Sequence, residues 1–308
     1  MERISVSFSI SDNFAQHMAV LAASILVHSP EDSFVFHVLA KELSGETKAR
    51  LAQMEAQWEG RCRFAYHFID RTQFDGFPLP LEHITQEAYY RYLLPELLPE
   101  ERRTIYMDVD ILAQESLAPL WRIDLQGCLV GAVSDGKKRT GDFGKYLRRL
   151  GISDSEPYYN SGVLVMDLEA LRSFGFGGKC MARTAQLQDR LAWPDQDVIN
   201  LELRGRILAL PPKYNCLTRR SLQRGERPVL RHFASFTAKP WCNIWKNRTW
   251  PLYLRYLRLT PWRDRAAAFV WAHVKGFFWF RYTKKGVERT LLCGLLVWRR
   301  NLNKGTPA

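Results

Sequence analysis

Ile4-Ser5-Val6-Ser7-Phe8-Ser9-Ile10 is short, β-rich and largely apolar. It stops at Ser11-Asp12-Asn13, after which apolar residues recur with a helical period from Phe14 to His28. That order is strand, loop, helix, with the loop at the carboxyl end of the strand. The pattern then continues: Phe34–Leu39 reads as a second strand, Ser44–Trp58 as a second amphipathic helix and Cys62–Ile69 as a third strand. Alternation of this kind predicts a parallel sheet covered by helices. Open sheets of that type bind ligands beyond the carboxyl ends of their strands, which makes the Ser11–Asn13 loop a candidate nucleotide contact.

Further along, Arg103–Met107 is a fourth strand and Tyr159–Met166 a fifth. Gln196–Leu203 reads as helix after a Pro194-Asp195 start, and Val229–Phe233 is a sixth short strand. The fourth strand ends in Asp108-Val109-Asp110. In extended structure residues two apart project to the same side, so this turn holds two carboxylates next to each other. They repel, and a divalent cation with oxygen ligands is the usual remedy. A pair of solvated turn aspartates has the same spelling, so the triplet alone leaves both readings open.

The composition, 46% hydrophobic and 25% charged over 308 residues, is that of a packed globular chain and excludes disorder as its main description. The net charge of +12 is not spread evenly. From Lys246 onward 14 Lys and Arg stand against two acids, Asp264 and Glu288, so this segment alone accounts for the whole excess and leaves residues 1–245 neutral. The body is placed at 1–245, with a linker near Asn243–Thr249 and a basic tail over 246–308. Six scattered cysteines without a C-x-x-C pair signal neither a zinc module nor a redox motif, and they fit the cytosolic side. The N-terminus has no basic region followed by an apolar core, and no apolar run approaches the length that spans a bilayer. The expectation is a cytoplasmic protein.

Six segments, in order, give the triplet its context: Ser11-Asp12-Asn13-Phe14; His83-Ile84-Thr85 through Tyr89-Tyr90-Arg91; Ile105 through Asp110, continuing to Ser116-Leu117-Ala118-Pro119-Leu120-Trp121; Tyr159-Asn160-Ser161-Gly162-Val163-Leu164; Asp195-Gln196-Asp197-Val198-Ile199-Asn200; and His232-Phe233 with Lys239-Pro240-Trp241. With these the sequence resembles the family 8 glycosyltransferases, above all the bacterial lipopolysaccharide galactosyl- and glucosyltransferases, over nearly all of residues 1–245. The resemblance implies a nucleotide-binding, Rossmann-like α/β domain of GT-A type, a central mixed sheet flanked by helices. It also implies transfer of galactose or glucose from a UDP-hexose donor to a lipid-linked or lipopolysaccharide glycan acceptor, with retention of anomeric configuration.

The resemblance also assigns roles. Asp108 and Asp110 would hold Mn²⁺ or Mg²⁺ with His232 as third ligand, and an imidazole among the ligands leans toward Mn²⁺. Lys239 would contact the donor phosphates, His83 would lie near the diphosphate and Asn13 would approach the nucleoside. Arg91, Asn160, Asp195 and Gln196 would surround the transferred sugar, with Gln196 near the anomeric carbon. Ser11 and Val109 complete the donor-binding set, and Asp195 and Gln196 are the catalytic candidates. An amide is a poor nucleophile, which favours front-face attack over double displacement. Two departures stand out. Ser11 occupies a position where many relatives carry an acid that contacts the base, and Phe233-Ala234-Ser235-Phe236-Thr237-Ala238 lacks the glycine that often follows the histidine.

Two other classes compete. Aspartate-nucleophile phosphatases also place D-x-D after an apolar strand, but usually with Thr or Val two positions after the second Asp, where this chain has Leu112. A non-catalytic membrane or nucleic-acid adaptor would be driven by the tail, which contains no nucleic-acid reading motif. The tail instead sets Trp250, Tyr253, Tyr256, Trp262, Phe269, Trp271 and further aromatics among its basic residues. That pattern predicts a peripheral segment on an anionic membrane surface, at the inner face of the bacterial cytoplasmic membrane, and no nucleic-acid partner.

Overall fold

A computed structural model describes residues 2–80, 85–137, 140–217, 222, 226–234, 239–241 and 249–271. They fall into two compact units, one running through His232 and one beginning at Phe233. The boundary expected at residue 245 lies outside the described residues.

Among the described residues the first unit has ten strands: β1 Arg3–Ser9, β2 Ser33–Ala40, β3 Cys62–Phe68, β4 Arg103–Met107, β5 Ile111–Ala113, β6 Val130–Ser134, β7 Tyr159–Asp167, β8 Ile207–Ala209, β9 Cys216–Leu217 and β10 Leu230–His232. Its helices are α1 Ala15–His28, α2 Gly45–Gln57, α3 Leu94–Leu97, α4 Ala118–Trp121, α5 Gly141–Arg149, α6 Leu168–Phe174, α7 Phe176–Leu187 and α8 Pro194–Glu202. Seven strands form one sheet in the order β3-β2-β1-β4-β7-β6-β8, and β5-β10-β9 form a second. Strands β1 to β4 run parallel, as the alternation predicts. β7 pairs antiparallel with both β4 and β6, which makes the sheet mixed, as the family resemblance implies. The sixth predicted strand, Val229–Phe233, shortens to β10 and belongs to the smaller sheet.

β1 is buried along its whole interior, the signature of a central strand covered on both faces. α1 carries ten buried residues of its fourteen, so it is apolar nearly all round, as a helix enclosed by other elements must be. The hydroxyls of Ser24 in α1 and of Ser29, which caps its end, take on the backbone beside it. Ser24 Oγ accepts the Ala113 N–H at 2.9 Å, and Ser29 Oγ accepts that of Leu117 at 3.1 Å. β5 lies at the edge of the small sheet, and the first of these bonds satisfies a buried donor that would otherwise have no partner. The helix thus fixes the place of β5, and with it the residue before β5, Asp110. The second unit contains α9, Trp250–Leu257, whose Tyr253 packs against Trp241 and Phe269.

Candidate active site

The chain changes sheets at Asp108-Val109-Asp110. β4 ends at Met107 in the large sheet and β5 begins at Ile111 in the small one, so the triplet spans the crossing. The Asp108 N–H donates to Gly162 O at 2.8 Å and anchors the crossing to β7. In the small sheet His232 stands opposite Ile111, which carries its ring to the neighbouring Asp110. His232 Nε2 lies 3.2 Å from Asp110 Oδ1 and 3.9 Å from Asp108 Oδ2. One ligand atom from each of the three residues falls within 4.8 Å of the others, the only such cluster among the described residues.

This donor set fits a divalent cation. Two carboxylates and one imidazole converge, a mixed oxygen and nitrogen set that suits such an ion. Asp108 Oδ1 is already engaged by Arg91 Nη2 and by the Tyr106 hydroxyl, each at 3.0 Å, so Oδ2 is the oxygen turned toward His232. Gly162 closes the back of the site. A Cβ there would lie 2.4 Å from His232 Cε1 and 2.8 Å from Asp108 Oδ2, so only a hydrogen fits.

Arg91 is buried rather than a solvated helix charge. It sits in the 3₁₀ segment Gln86–Leu93 over the Tyr106 ring, 4.2 Å from its centre. Its Nη1 donates to Ser161 O at 2.8 Å and meets Asp195 Oδ2 at 3.1 Å, while Nη2 reaches Asp108. Burial works against its charge, but the carboxylates of Asp195 and Asp108 outweigh that and hold it firmly protonated. Burial raises the Asp195 carboxyl above its ordinary range, opposed by Arg91 and by the Ser161 hydroxyl, which donates at 2.8 Å. One guanidinium thus ties Asp108 to the first turn of α8.

α8 begins with Pro194 and is set on β7 by Asn200, which accepts the Tyr159 N–H and donates to Tyr159 O. Asp197 accepts from the hydroxyls of Tyr146 and Tyr158 and from the Trp193 N–H. Burial pushes its carboxyl up to about 6 against those bonds. The helix start therefore presents Gln196 inward, where Oε1 accepts from Asn160 Nδ2 at 2.9 Å and from the Ser161 N–H at 3.2 Å.

The remaining predicted residues are placed as follows. Ser11 and Asn13 lie on the loop after β1, with Asn13 exposed. Asp12 between them is held away by Ser44, whose N–H donates to its carboxylate at 3.0 Å. Val109 is half-buried between the two aspartates. Asn160 is joined to Gln196 and, through Oδ1, to the Gly162 N–H. Lys239 belongs to the second unit, with its ammonium 5.8 Å from the Trp241 ring. His83 lies outside the described residues.

Three participants escape a reading of the sequence. Tyr106 reads as one more residue of an apolar strand. Asn215, fully buried, touches both Asn160 and His232, yet follows Lys213-Tyr214 with no recognisable spacing. Asp135 is buried, accepts from Gln196 Nε2 at 3.4 Å and has Lys137 Nζ at 3.4 Å. It follows the apolar strand Val130–Ser134 as a single acid, without the second acid two positions on that marks Asp108.

Residues 5–244 match the profile of glycosyl transferase family 8. The chain belongs to this family. Among similar proteins, general stress protein A of Bacillus subtilis is 26% identical, over 82% of this chain and 92% of that protein. A lipopolysaccharide 1,2-glucosyltransferase of Escherichia coli is also 26% identical, over 85% and 80%. A lipopolysaccharide 1,3-galactosyltransferase of Salmonella typhimurium is 22% identical, over 70% and 64%. Among solved structures, galactosyltransferase LgtC in complex with donor and acceptor sugar analogues superposes with a TM-score of 0.74 at 25% identity, covering 83% of this chain and 96% of that one. The mixed seven-stranded sheet flanked by helices is thus the GT-A arrangement, and the protein is a glycosyltransferase. Its membership of family 8 implies a nucleotide-sugar donor, a glycan acceptor and a divalent metal.

Proposed function

We propose that this family 8 enzyme is a retaining hexosyltransferase that moves galactose or glucose from UDP to a lipid-linked or lipopolysaccharide glycan, with Mn²⁺ held by Asp108, Asp110 and His232. The observation that carries the reading is the convergence of these three residues across two sheets, with Gln196 joined to them through side-chain amides. A bound cation stabilises the charge that grows on the diphosphate as the bond to the anomeric carbon breaks.

The chain's own residues divide the rest of the work. Arg91 holds Asp108 and Asp195 in place and offsets their charge, so that Asp195 can accept hydrogen bonds from sugar hydroxyls. Both acceptor positions of Gln196 Oε1 are already filled by Asn160 Nδ2 and the Ser161 N–H, which leaves it no lone pair with which to attack carbon. This supports front-face transfer, in which a leaving phosphate oxygen takes the proton of the acceptor hydroxyl. Asn13 serves the nucleoside end of the donor, His83 and Lys239 its phosphates, and Ser11 and Val109 complete the donor-binding set. The test is the configuration of the product. Proton NMR of the isolated glycoside is expected to show the donor's α linkage, and a β product would overturn the reading.

The catalytic part is assigned to 1–245 and a membrane-associating segment to 246–308. Among the described residues no helix is long and apolar enough to cross a membrane. Trp271 is 60% exposed and shares a groove with Arg258 and Arg263, which supports contact with anionic headgroups at the inner face of the cytoplasmic membrane.

A further inference from the structure

A line of side-chain amides runs through the site, and the direction of its hydrogen bonds is fixed by the backbone. Asn160 Oδ1 accepts the Gly162 N–H at 3.1 Å, and Gln196 Oε1 accepts the Ser161 N–H at 3.2 Å. A backbone N–H can only donate, so these two oxygens are placed without ambiguity. Asn215 approaches the same Asn160 Oδ1 at 2.7 Å and must present its amino group there. Its own Oδ1 is then the atom that faces His232 Nδ1 at 2.8 Å. An amide oxygen in that position requires a proton on Nδ1. In the neutral ring the lone pair therefore lies on Nε2, the nitrogen aimed at Asp110 and Asp108.

We infer that Asn215 is a positioning residue that keeps the imidazole proton of His232 on Nδ1 and so presents Nε2 as the cation's ligand. The inference rests on the metal reading above and deepens it. A ligating histidine commonly donates its second N–H to an oxygen, and that partner sets both the tautomer and the ring orientation. Here the partner is an amide, buried in full and itself held by Asn160. It fixes the tautomer without adding a third negative charge beside two aspartates. The same line ends on Gln196, whose Nε2 is turned to Asp135. The atoms that orient the ligand and the atoms that orient the catalytic amide are therefore one connected set.

The test pairs two substitutions with one spectroscopic observation on the full chain. Asn215→Leu removes the acceptor at similar volume. Asn215→Asp keeps an acceptor for Nδ1–H but loses the donor to Asn160. Mn²⁺ affinity, measured by electron paramagnetic resonance without any sugar nucleotide, is expected to fall about 10- to 100-fold in N215L and to fall clearly less in N215D. Long-range ¹H–¹⁵N correlation on histidine-labelled wild-type protein at alkaline pH, with His232 assigned by its loss in H232Q, is expected to show a proton on Nδ1. Equal weakening in both variants would mean that Asn215 acts only through its bond to Asn160, and wild-type affinity in N215L would mean that it does not act at all. Either result overturns the inference. If N215L does not fold, the wild-type spectrum and N215D still decide it. Wild-type protein that binds Mn²⁺ with a bare Nδ1 overturns this inference alone, whereas wild-type protein that binds no Mn²⁺ overturns the metal reading and this inference with it.

Discussion

Gly162→Ala isolates the geometry on which the site depends. The glycine lies in β7, and the added methyl carbon would stand 2.4 Å from His232 Cε1, 2.8 Å from Asp108 Oδ2 and 3.0 Å from His232 Nδ1, where ordinary contact begins at 3.4 Å. Something must therefore yield by roughly 1 Å. The imidazole has little room to do so, because it is 2% exposed and its Nδ1 is bonded to Asn215. Overpacking of this kind costs about 1–3 kcal/mol of stability. The larger consequence is for the cation, since ligand distances tolerate only about ±0.2 Å. A displacement several times that size takes His232 out of the coordination sphere. Calorimetric titration with Mn²⁺ is expected to show affinity lost by at least an order of magnitude while the protein still melts cooperatively. Gly178→Ala is the control, because no atom lies within 4 Å of its Cβ position in α7 and alanine there favours the helix by up to about 1 kcal/mol. Wild-type Mn²⁺ affinity in G162A would refute the reasoning.

Other consequences follow from the same geometry. Asp108→Asn and Asp110→Asn are each expected to abolish metal-dependent transfer, checked by activity with added Mn²⁺ and by circular dichroism for an intact fold. Two buried groups oppose each other in the pH dependence of stability. Burial raises Asp197 from 3.8 to about 6, so the fold prefers its protonated form and this contribution to stability is lost as pH rises from about 4 through 6. Burial, aided by His67, Arg3 and Arg63, lowers His37 from 6.5 to about 4, so its contribution is full above 6.5 and is lost as pH falls toward 4. Each displacement is on the order of 3 kcal/mol. Urea unfolding is expected to show stability rising with pH over this window more steeply in Asp197→Asn than in wild type, and falling in His37→Gln. A truncated chain ending near Trp245 is expected to lose binding to anionic vesicles, by sedimentation, while it still hydrolyses the sugar nucleotide.

The parts of the fold legible in the sequence are those with long, regular periodicity. β1, α1, β2, α2 and β3 follow their predicted bounds to within a residue or so, because each buries a continuous stripe or face. β5 and β8 have three residues each, too few for a period to register, and in β6 the apolar run is broken by Gly131, where a Cβ would press on Leu125 and Leu210 at 3.0 and 3.1 Å. The antiparallel insertion of β7 is a property of pairing, to which local pattern is blind. At the site, Asp108 and Asp110 carry a signal in their spacing, and His232 becomes visible only through the family's ordered motifs. Asn215 carries none. It matters because β10 and the turn before β9 bring it between two residues 55 and 17 positions away.

Glycosyl transfer from a nucleotide sugar at a metal centre made by Asp108, Asp110 and His232 has a signature in the donor alone. Proton NMR of UDP-galactose and UDP-glucose incubated with the protein, without acceptor, is expected to show slow release of UDP and free sugar from at least one donor with Mn²⁺ present, and none after excess chelator. Undiminished hydrolysis in chelator would contradict it.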